Sequence, residues 1–361
     1  MLKLKVFETI NSTARNSCVD VFRAVAIIVV VLYHFNNIIP YGYLGVDLFF
    51  LISGLLVGGI LVKKLDRDEE INFLKFVLQR GFKIWPSYYF FLFVSSFLSR
   101  YLYADSHSEF IIPISDLGRF VFFYQNYTGL PYYWIYDHVW SLCVEEHFYI
   151  LLPLMFIFIK TFIPSESKKK FLYAGLICTI IAGMLFKVIS FYFTSGQDTY
   201  SATHNRLDAL AWGVLLNLLI NDYGERLKEF TSAYWVLLIG TLIFCVSMYF
   251  FIAFDFEIYE KIFFHSIIPF SFFLMLLSLY STNFQNWKFL RFVSYFSYNW
   301  YLWHTIFVYY IVESMGMTIF SCLTFLVGSF LVAMITTIFI EEFFLSKREK
   351  IISNWFSKKR P

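Results

Sequence analysis

Runs of about twenty apolar residues recur along almost the whole chain, and few folds are open to such a sequence. At ~1.5 Å rise per residue, a helical run of that length matches the hydrocarbon thickness of a bilayer. About ten such runs can be read, at 18–38, 44–62, 82–99, 139–160, 171–193, 206–220, 233–253, 261–280, 293–312 and 318–341. The stretch 115–126 reads as a short surface helix inside the long loop 100–138. The 361 residues are 59% hydrophobic and only 15% charged, which no water-soluble domain of this size approaches. The expected fold is all-α and integral to a membrane: one domain over 1–361, undivided by linkers, repeats or low-complexity tracts.

Lys and Arg set the expected orientation. With a cytoplasmic N-terminus, about 23 of the 29 basic residues fall on the inside, a strong positive-inside bias. They include Lys63, Lys64, Arg67, Lys168-Lys169-Lys170, Arg226, Lys228, Lys288, Arg291 and the tail from Lys347 to Arg360. An even span count puts both termini in the cytoplasm. The outer loops are acidic and aromatic instead, with Asp105, Glu109, Asp116, Asp137, Asp255 and Glu257. The polar, mixed-charge start does not read as a cleavable signal peptide. The five cysteines read as small core hydrophobes, with no spacing for disulfides or zinc, and no metal site or nucleic-acid partner is expected.

Within the apolar runs, the charged residues need a reason, because a charge at a helix centre costs ~2.5 kcal/mol or more. The clearest case is Arg23-x10-His34, two polar side chains roughly 16 Å apart along one span. The orientation places Arg23 near the cytoplasmic end, with Arg80 and Lys83 on one face of the third span. His34, Asp47, Glu145, Glu146, Arg206 and Asp208 fall nearer the outer side, and His304 lies near mid-depth. Plain readings compete for several of these. Arg80 and Lys83 can be topological anchors, Arg206 and Asp208 a structural ion pair, His304 a satisfied core histidine. Ser53, Gly54 and Gly58 can serve helix packing, and Lys187 can snorkel or pair with an acid.

The motifs together resemble the membrane-bound acyltransferase-3 family, multi-spanning enzymes that acylate cell-surface sugars and some small molecules. The likeness runs over almost the whole chain. It begins with Arg23-x10-His34, preceded by Asp20, and continues with Gly45-Val46-Asp47-x-Phe49-Phe50-x-x-Ser53-Gly54. Arg80-x-x-Lys83-Ile84-x-Pro86 and Trp140-Ser141-Leu142-x-x-Glu145-x-x-Phe148-Tyr149 follow. Arg206-Leu207-Asp208 with Gly213, and Ser297-Tyr298-x-x-Tyr301-Leu302-x-His304, complete the series. Two departures stand out. Lys83 replaces the family's second arginine, keeping the charge without the bidentate fork. Glu341-Glu342-Phe343 lacks the family's proline, which bears on the local turn.

The resemblance implies O-acyl transfer from a cytoplasmic acyl-CoA, acetyl-CoA first among them, to a hydroxyl of a cell-surface or lipid-linked glycan, with a small-molecule acceptor as the alternative, in the cell membrane. Arg80, Lys83 and Arg23, with Ser53, are the expected donor-binding residues, since acyl-CoA is a polyanion. His34 is expected to activate the hydroxyl as general base or to carry the acyl group covalently, with Asp47 or Glu145 fixing its tautomer. Arg206, Asp208, Tyr301 and His304 are expected to be structural or to orient substrate. Tyr124, Tyr127, Tyr132, Tyr133 and Trp134 in the outer loop can stack on sugars or sit at the interface. The helices alone, or with a partner, are expected to bind the acceptor, because these residues include no hydrolase-like soluble domain. A transporter or exporter is the rival class, though no inverted repeat or pair of interrupted helices supports it.

Overall fold

The structure is a computed structural model that describes residues 15–103, 110–127, 133–193, 200–231, 234–254 and 256–357. Every regular element among them is helical. In chain order these are α1 (Ser17–His34), α2 (Gly45–Asp66), α3 (Phe73–Tyr103), the short α4 (Ile114–Val121), α5 (Trp140–Phe162) and α6 (Lys168–Phe193). Then come α7 (Leu207–Thr231), α8 (Trp235–Ala253), α9 (His265–Leu279), α10 (Lys288–Met315), α11 (Ile319–Thr336) and α12 (Glu342–Ser357).

Seven helices among the described residues, counted with the turns that extend them, are long and apolar enough to cross a membrane: α1, α2, α5, α6, α8, α9 and α11. The other long helices, α3, α7 and α10, fall on the remaining expected spans. They are less apolar because they carry Arg80 and Lys83, Asp208, and Ser297, Asn299 and His304 respectively. They bring polar groups to the interior, as do apolar spans such as α2 with Asp47 and α6 with Lys187. Burial differs sharply along the bundle. The apolar window of α2 is 78% buried, that of α8 only 17%, so α2 is central and α8 turns most of its surface outward.

Two parallel helix pairs organise the interior. Asp20 meets Arg291 and Ser294, Arg23 meets Ser297, and His34 meets His304, so α1 and α10 run side by side in one direction. Likewise Asp47 meets Arg206, and Gly54 meets Leu210 and Gly213, so α2 and α7 run together. That second pair approaches very closely. A Cβ on Gly54 would lie 2.0 Å from the Leu210 carbonyl oxygen, and one on Gly213 2.0 Å from that of Leu51. The small-residue spacing at Gly54 and Gly58 therefore does what it suggested: Gly58 likewise faces Val214.

Several expected boundaries shift. The third span begins nine residues early, at Phe73, and runs through Pro86. The sixth continues to Thr231, with non-helical backbone at Tyr223. A π-helical segment, Tyr259–Phe264, leads into α9, and another, Thr337–Glu341, joins α11 to α12. The basic tail, which entered the sequence reading only through its charge, is mostly the helix α12, which packs against α3.

Candidate active site

Polar side chains gather around both ends of the Arg23–His34 segment of α1. That helix starts cleanly because the Asn16 side chain accepts from the backbone N–H of Cys18 (2.9 Å) and Val19 (3.1 Å). Arg23 Nε donates to Ser297 Oγ at 2.8 Å. Glu145 on α5 and Glu341 are acids that act on Arg23. Glu145 accepts from the Tyr149 hydroxyl at 2.8 Å, and Tyr149 is 2.7 Å from Ser53 Oγ. Because Tyr149 donates to the carboxylate, Ser53 donates to Tyr149. Expected at the donor, Ser53 is the end of this short relay.

Arg80 is half-buried on α3 and, among the described residues, makes no hydrogen bond or ion pair. Glu145 and Glu146 act on it from α5, and Arg348 from α12. Lys83 is ion-paired with Glu341. The same Glu341 accepts from Asn299 Nδ2 at 2.7 Å, and Asn299 also reaches Thr337 Oγ1 at 2.9 Å. Trp85 Nε1 donates to Glu146 at 3.0 Å. This end thus holds three cations, Arg23, Arg80 and Lys83, laced with acids that partly offset them.

At the other end, His34 closes α1. Its Nδ1 lies 2.9 Å from the Val30 carbonyl oxygen and 3.2 Å from His304 Nε2. Its Nε2 makes no hydrogen bond among the described residues, and the side chain is half-buried rather than sealed. His304 is fully buried, with Nδ1 2.7 Å from the Tyr301 carbonyl oxygen. A third ring, His138, stands 5.1 Å from His304, edge to face. Thr305 Oγ1 is 3.4 Å from its Nδ1, and its buried Nε2 has no hydrogen-bond partner. The Tyr301 hydroxyl donates to the His138 carbonyl at 2.7 Å and lies 2.7 Å from Ser141. Among the described residues, no three His, Cys, Asp or Glu side chains converge as metal ligands.

The structure separates residues that the sequence grouped. Neither Asp47 nor Glu145 reaches His34. Asp47 pairs with Arg206, and Glu145 sits with Arg23, Arg80 and Tyr149. Arg206 and Asp208 are not each other's partners: Arg206, in the turn just before α7, reaches Asp47 on α2, and Asp208, in the first turn of α7, reaches Lys187 on α6. Asp208 pairs with Lys187, itself 2.8 Å from Ser266 Oγ, which donates to Asp208 at 3.2 Å. All four charged groups are buried. Arg206 lies over the Tyr200 ring at 4.7 Å, with Phe50 and Trp140 beyond, and its Nε and Nη1 meet no acceptor.

Sequence reasoning missed His138 and Asn299, and the pairing roles of Ser297 and Glu341. The available signals were an Asn inside an apolar run, an acid at the end of one, and a histidine two residues before Trp140-Ser141. Of the outer-loop aromatics, Tyr132 lies outside the described residues. Tyr133 is buried, its hydroxyl 2.6 Å from Asp116, and burial together with that carboxylate pushes the phenol up to about 12. It is not free to stack on a sugar. Trp134, Tyr124 and Tyr127 are exposed, Tyr127 stacking on His204.

Comparison with known proteins follows these motifs. Residues 16–341 match the acyltransferase domain of the acyltransferase-3 family. O-acetyltransferase OatA of Staphylococcus aureus (strains NCTC 8325 / PS 47 and COL) is 30% identical over 205 residues, 55% of this chain and 33% of the relative. A protein of Staphylococcus aureus (strain MSSA476), provisionally named an O-acetyltransferase, is 28% identical over 232 residues, 61% of this chain and 37% of the relative. The chain thus spans about a third of the length of these relatives. No solved structure matches it significantly. With the family's acyltransferase domain matched from Asn16 to Glu341, across all of the polar groups just described, the chain belongs to the acyltransferase-3 family.

Proposed function

We propose that this protein is an O-acyltransferase that moves an acetyl group from acetyl-CoA, bound at the Arg23–Arg80–Lys83 end, to a hydroxyl of a cell-surface or lipid-linked glycan at the His34 end. The observation that carries this reading is the state of His34: Nδ1 is engaged, Nε2 is open, and the ring stands on the same helix as the Arg23 cluster. A sugar hydroxyl is a poor nucleophile near neutral pH, and an imidazole nitrogen placed to take its proton supplies the general base. The names of the Staphylococcus aureus relatives favour acetyl as the group transferred.

Arg80, with no partner of its own among the described residues, is the first docking point for the donor's phosphates. Lys83 joins it by giving up Glu341, a partner exchange that an incoming polyanion favours. Glu145, hydrogen-bonded to Tyr149, acts on both Arg23 and Arg80 without an ion pair to either and partly offsets their charge. The thioester then extends along α1 toward His34, where the hydroxyl oxygen attacks the carbonyl carbon. The C–S bond breaks, and the hydroxyl proton passes through His34 Nε2 to the departing thiolate. Ten membrane spans with both termini cytoplasmic put the donor end inside and the His34 end outside, in the cell membrane.

Purified protein in liposomes, given radiolabelled acetyl-CoA and a lipid-linked sugar, tests the reading. Label on the sugar supports it; intact acetyl-CoA with every glycan acceptor tried overturns it. Cysteine labelling with an impermeant thiol reagent, after replacement of the native cysteines, tests the sidedness. A cysteine in 38–43 labels from outside and one in 221–231 only once the membrane is opened; the reverse pattern would move the His34 end to the cytoplasm.

A further inference from the structure

The hydrogen positions at the two engaged histidines follow from their partners. His304 Nδ1 is 2.7 Å from the Tyr301 carbonyl oxygen. A carbonyl only accepts, so Nδ1 carries the hydrogen and the neutral ring leaves Nε2 with a lone pair. His34 Nδ1 is 2.9 Å from the Val30 carbonyl oxygen and carries its hydrogen for the same reason. The 3.2 Å separation between His34 Nδ1 and His304 Nε2 is therefore the longer arm of a three-centre bond, in which the one hydrogen on His34 Nδ1 is shared between the Val30 carbonyl and His304. Two backbone carbonyls thus assign both tautomers without a carboxylate, and the lone pair of His34 Nε2 is left facing outward from the pair.

We infer that His304 is the positioning residue for His34, accepting its Nδ1–H and taking a share of the charge that builds on the His34 ring during transfer. The inference rests on the proposed acyl transfer. The Val30 carbonyl already holds the tautomer. What a carbonyl provides less well is a partner for a cation: hydrogen bonds to an ionised donor are roughly twice as strong as neutral ones, and an imidazole nitrogen is a basic acceptor. When His34 Nε2 takes the proton of the attacking hydroxyl, the ring becomes an imidazolium and its bond to His304 shortens. When Nε2 returns that proton to the thiolate as the C–S bond breaks, the pair is neutral again. No atom is lost and no co-reactant is needed.

His304 is suited to this by its setting. It is fully buried, its ring stands 4.8 Å from that of His34, and His138 and Tyr301 pack on its other sides at 5.1 and 5.7 Å. An imidazole there leaves the resting site without charge. A carboxylate would add a permanent anion in a low-dielectric interior with no cation to offset it.

Two substitutions split the two bonds of His304. His304→Asn keeps a donor near the Tyr301 carbonyl but is too short to reach His34. His304→Gln reaches His34 with its carbonyl oxygen and gives up the Tyr301 bond. In liposomes, His304→Asn should lower kcat about 10- to 100-fold, with KM for acetyl-CoA within about threefold of native. His304→Gln should recover most of that loss. A second readout needs neither donor nor acceptor: carbethoxylation of His34 by diethylpyrocarbonate, followed by mass spectrometry of its peptide. It should slow severalfold in His304→Asn and return toward native in His304→Gln. Native kcat in His304→Asn, equal impairment of the two variants, or an unchanged modification rate in His304→Asn would each overturn the assignment. If the native protein transfers no acetyl group, the acyl-transfer reading fails, while the modification rates still decide the coupling between the two rings.

Discussion

Two polar clusters sit in the interior of this bundle and solve the same problem in opposite ways. Around Arg206, four full charges are buried together and compensated as Arg206 with Asp47 and Lys187 with Asp208. Around His34, three imidazoles are held by carbonyls, by a hydroxyl and by one another, with no ion pair among them. A charge in a low-dielectric interior is tolerable only when it is permanently matched. A group that must become charged and then lose that charge within one turnover is better kept neutral at rest, with one nitrogen left open. Under the proposed acyl transfer, this contrast would give the Arg206 cluster to architecture, fastening the close α2–α7 contact, and the His34 cluster to chemistry.

The contrast can be broken most decisively at His34. His34→Ala should lower transfer by about 10²–10⁴-fold, the usual worth of a general base, while inserted yield and thermal unfolding stay near native. An inserted His34→Ala protein with near-native turnover would erase the distinction. Asp47→Asn should do the reverse. Leaving Arg206 buried and unmatched is expected to destabilise by about 3–5 kcal/mol, read as a fall in folded yield and unfolding temperature. The double change Asp47→Leu with Arg206→Met should recover much of that loss; no recovery would show that the pair serves something other than charge balance.

Arg80→Ala tests the donor end. Loss of a charge-assisted phosphate contact is worth about 1.5–3 kcal/mol, so KM for acetyl-CoA should rise by about tenfold to a hundredfold with little change in kcat. An unchanged KM would make Arg80 a topological anchor. The smallest effect is expected at Asp68, an exposed carboxylate in the α2–α3 turn beside Lys160 and Lys168. Its hydrogen bond to Lys160 holds the carboxyl below its usual range. What stability it adds is therefore present at neutral pH and lost as pH falls through that lowered range. Asp68→Ala should leave transfer unchanged and the unfolding temperature at pH 7 close to native. A large loss in either would mean that a surface pair is acting like an interior one.

Much of this was legible in the sequence, and the reason lies in cost. Arg23 and His34 stood out because polar groups in an apolar run are expensive, and the helices could be read because their length is set by the bilayer. Partners were another matter. A helix periodicity says which residues share a face; it does not say which helix that face meets. His34 and His304 are 270 residues apart and Asp47 and Arg206 are 159 apart, so neither pairing follows from spacing. Where spacing was used, it misled: Arg206 and Asp208 are near in sequence and diverge in space. His138 escaped notice because it lies in a short turn ahead of α5, outside any periodic pattern. The helical tail α12 was hidden because its Lys and Arg residues count toward the inside whether or not they form a helix.

The segment of α1 between Arg23 and His34 contains no glycine and no proline, so nothing in it invites a bend. One end of that rod is fastened to Ser297 and the other to His304, both on the same neighbouring helix. Under the proposed function, the distance between Arg23 and His34 would be a fixed length against which the donor's pantetheine arm is measured. That arm is the same in every acyl-CoA, so such an arrangement would select the carrier and leave the acyl chain to whatever lies beyond the thioester. A donor whose arm falls short of His34, or overshoots it, would be refused by a ruler, with no shaped pocket needed to exclude it.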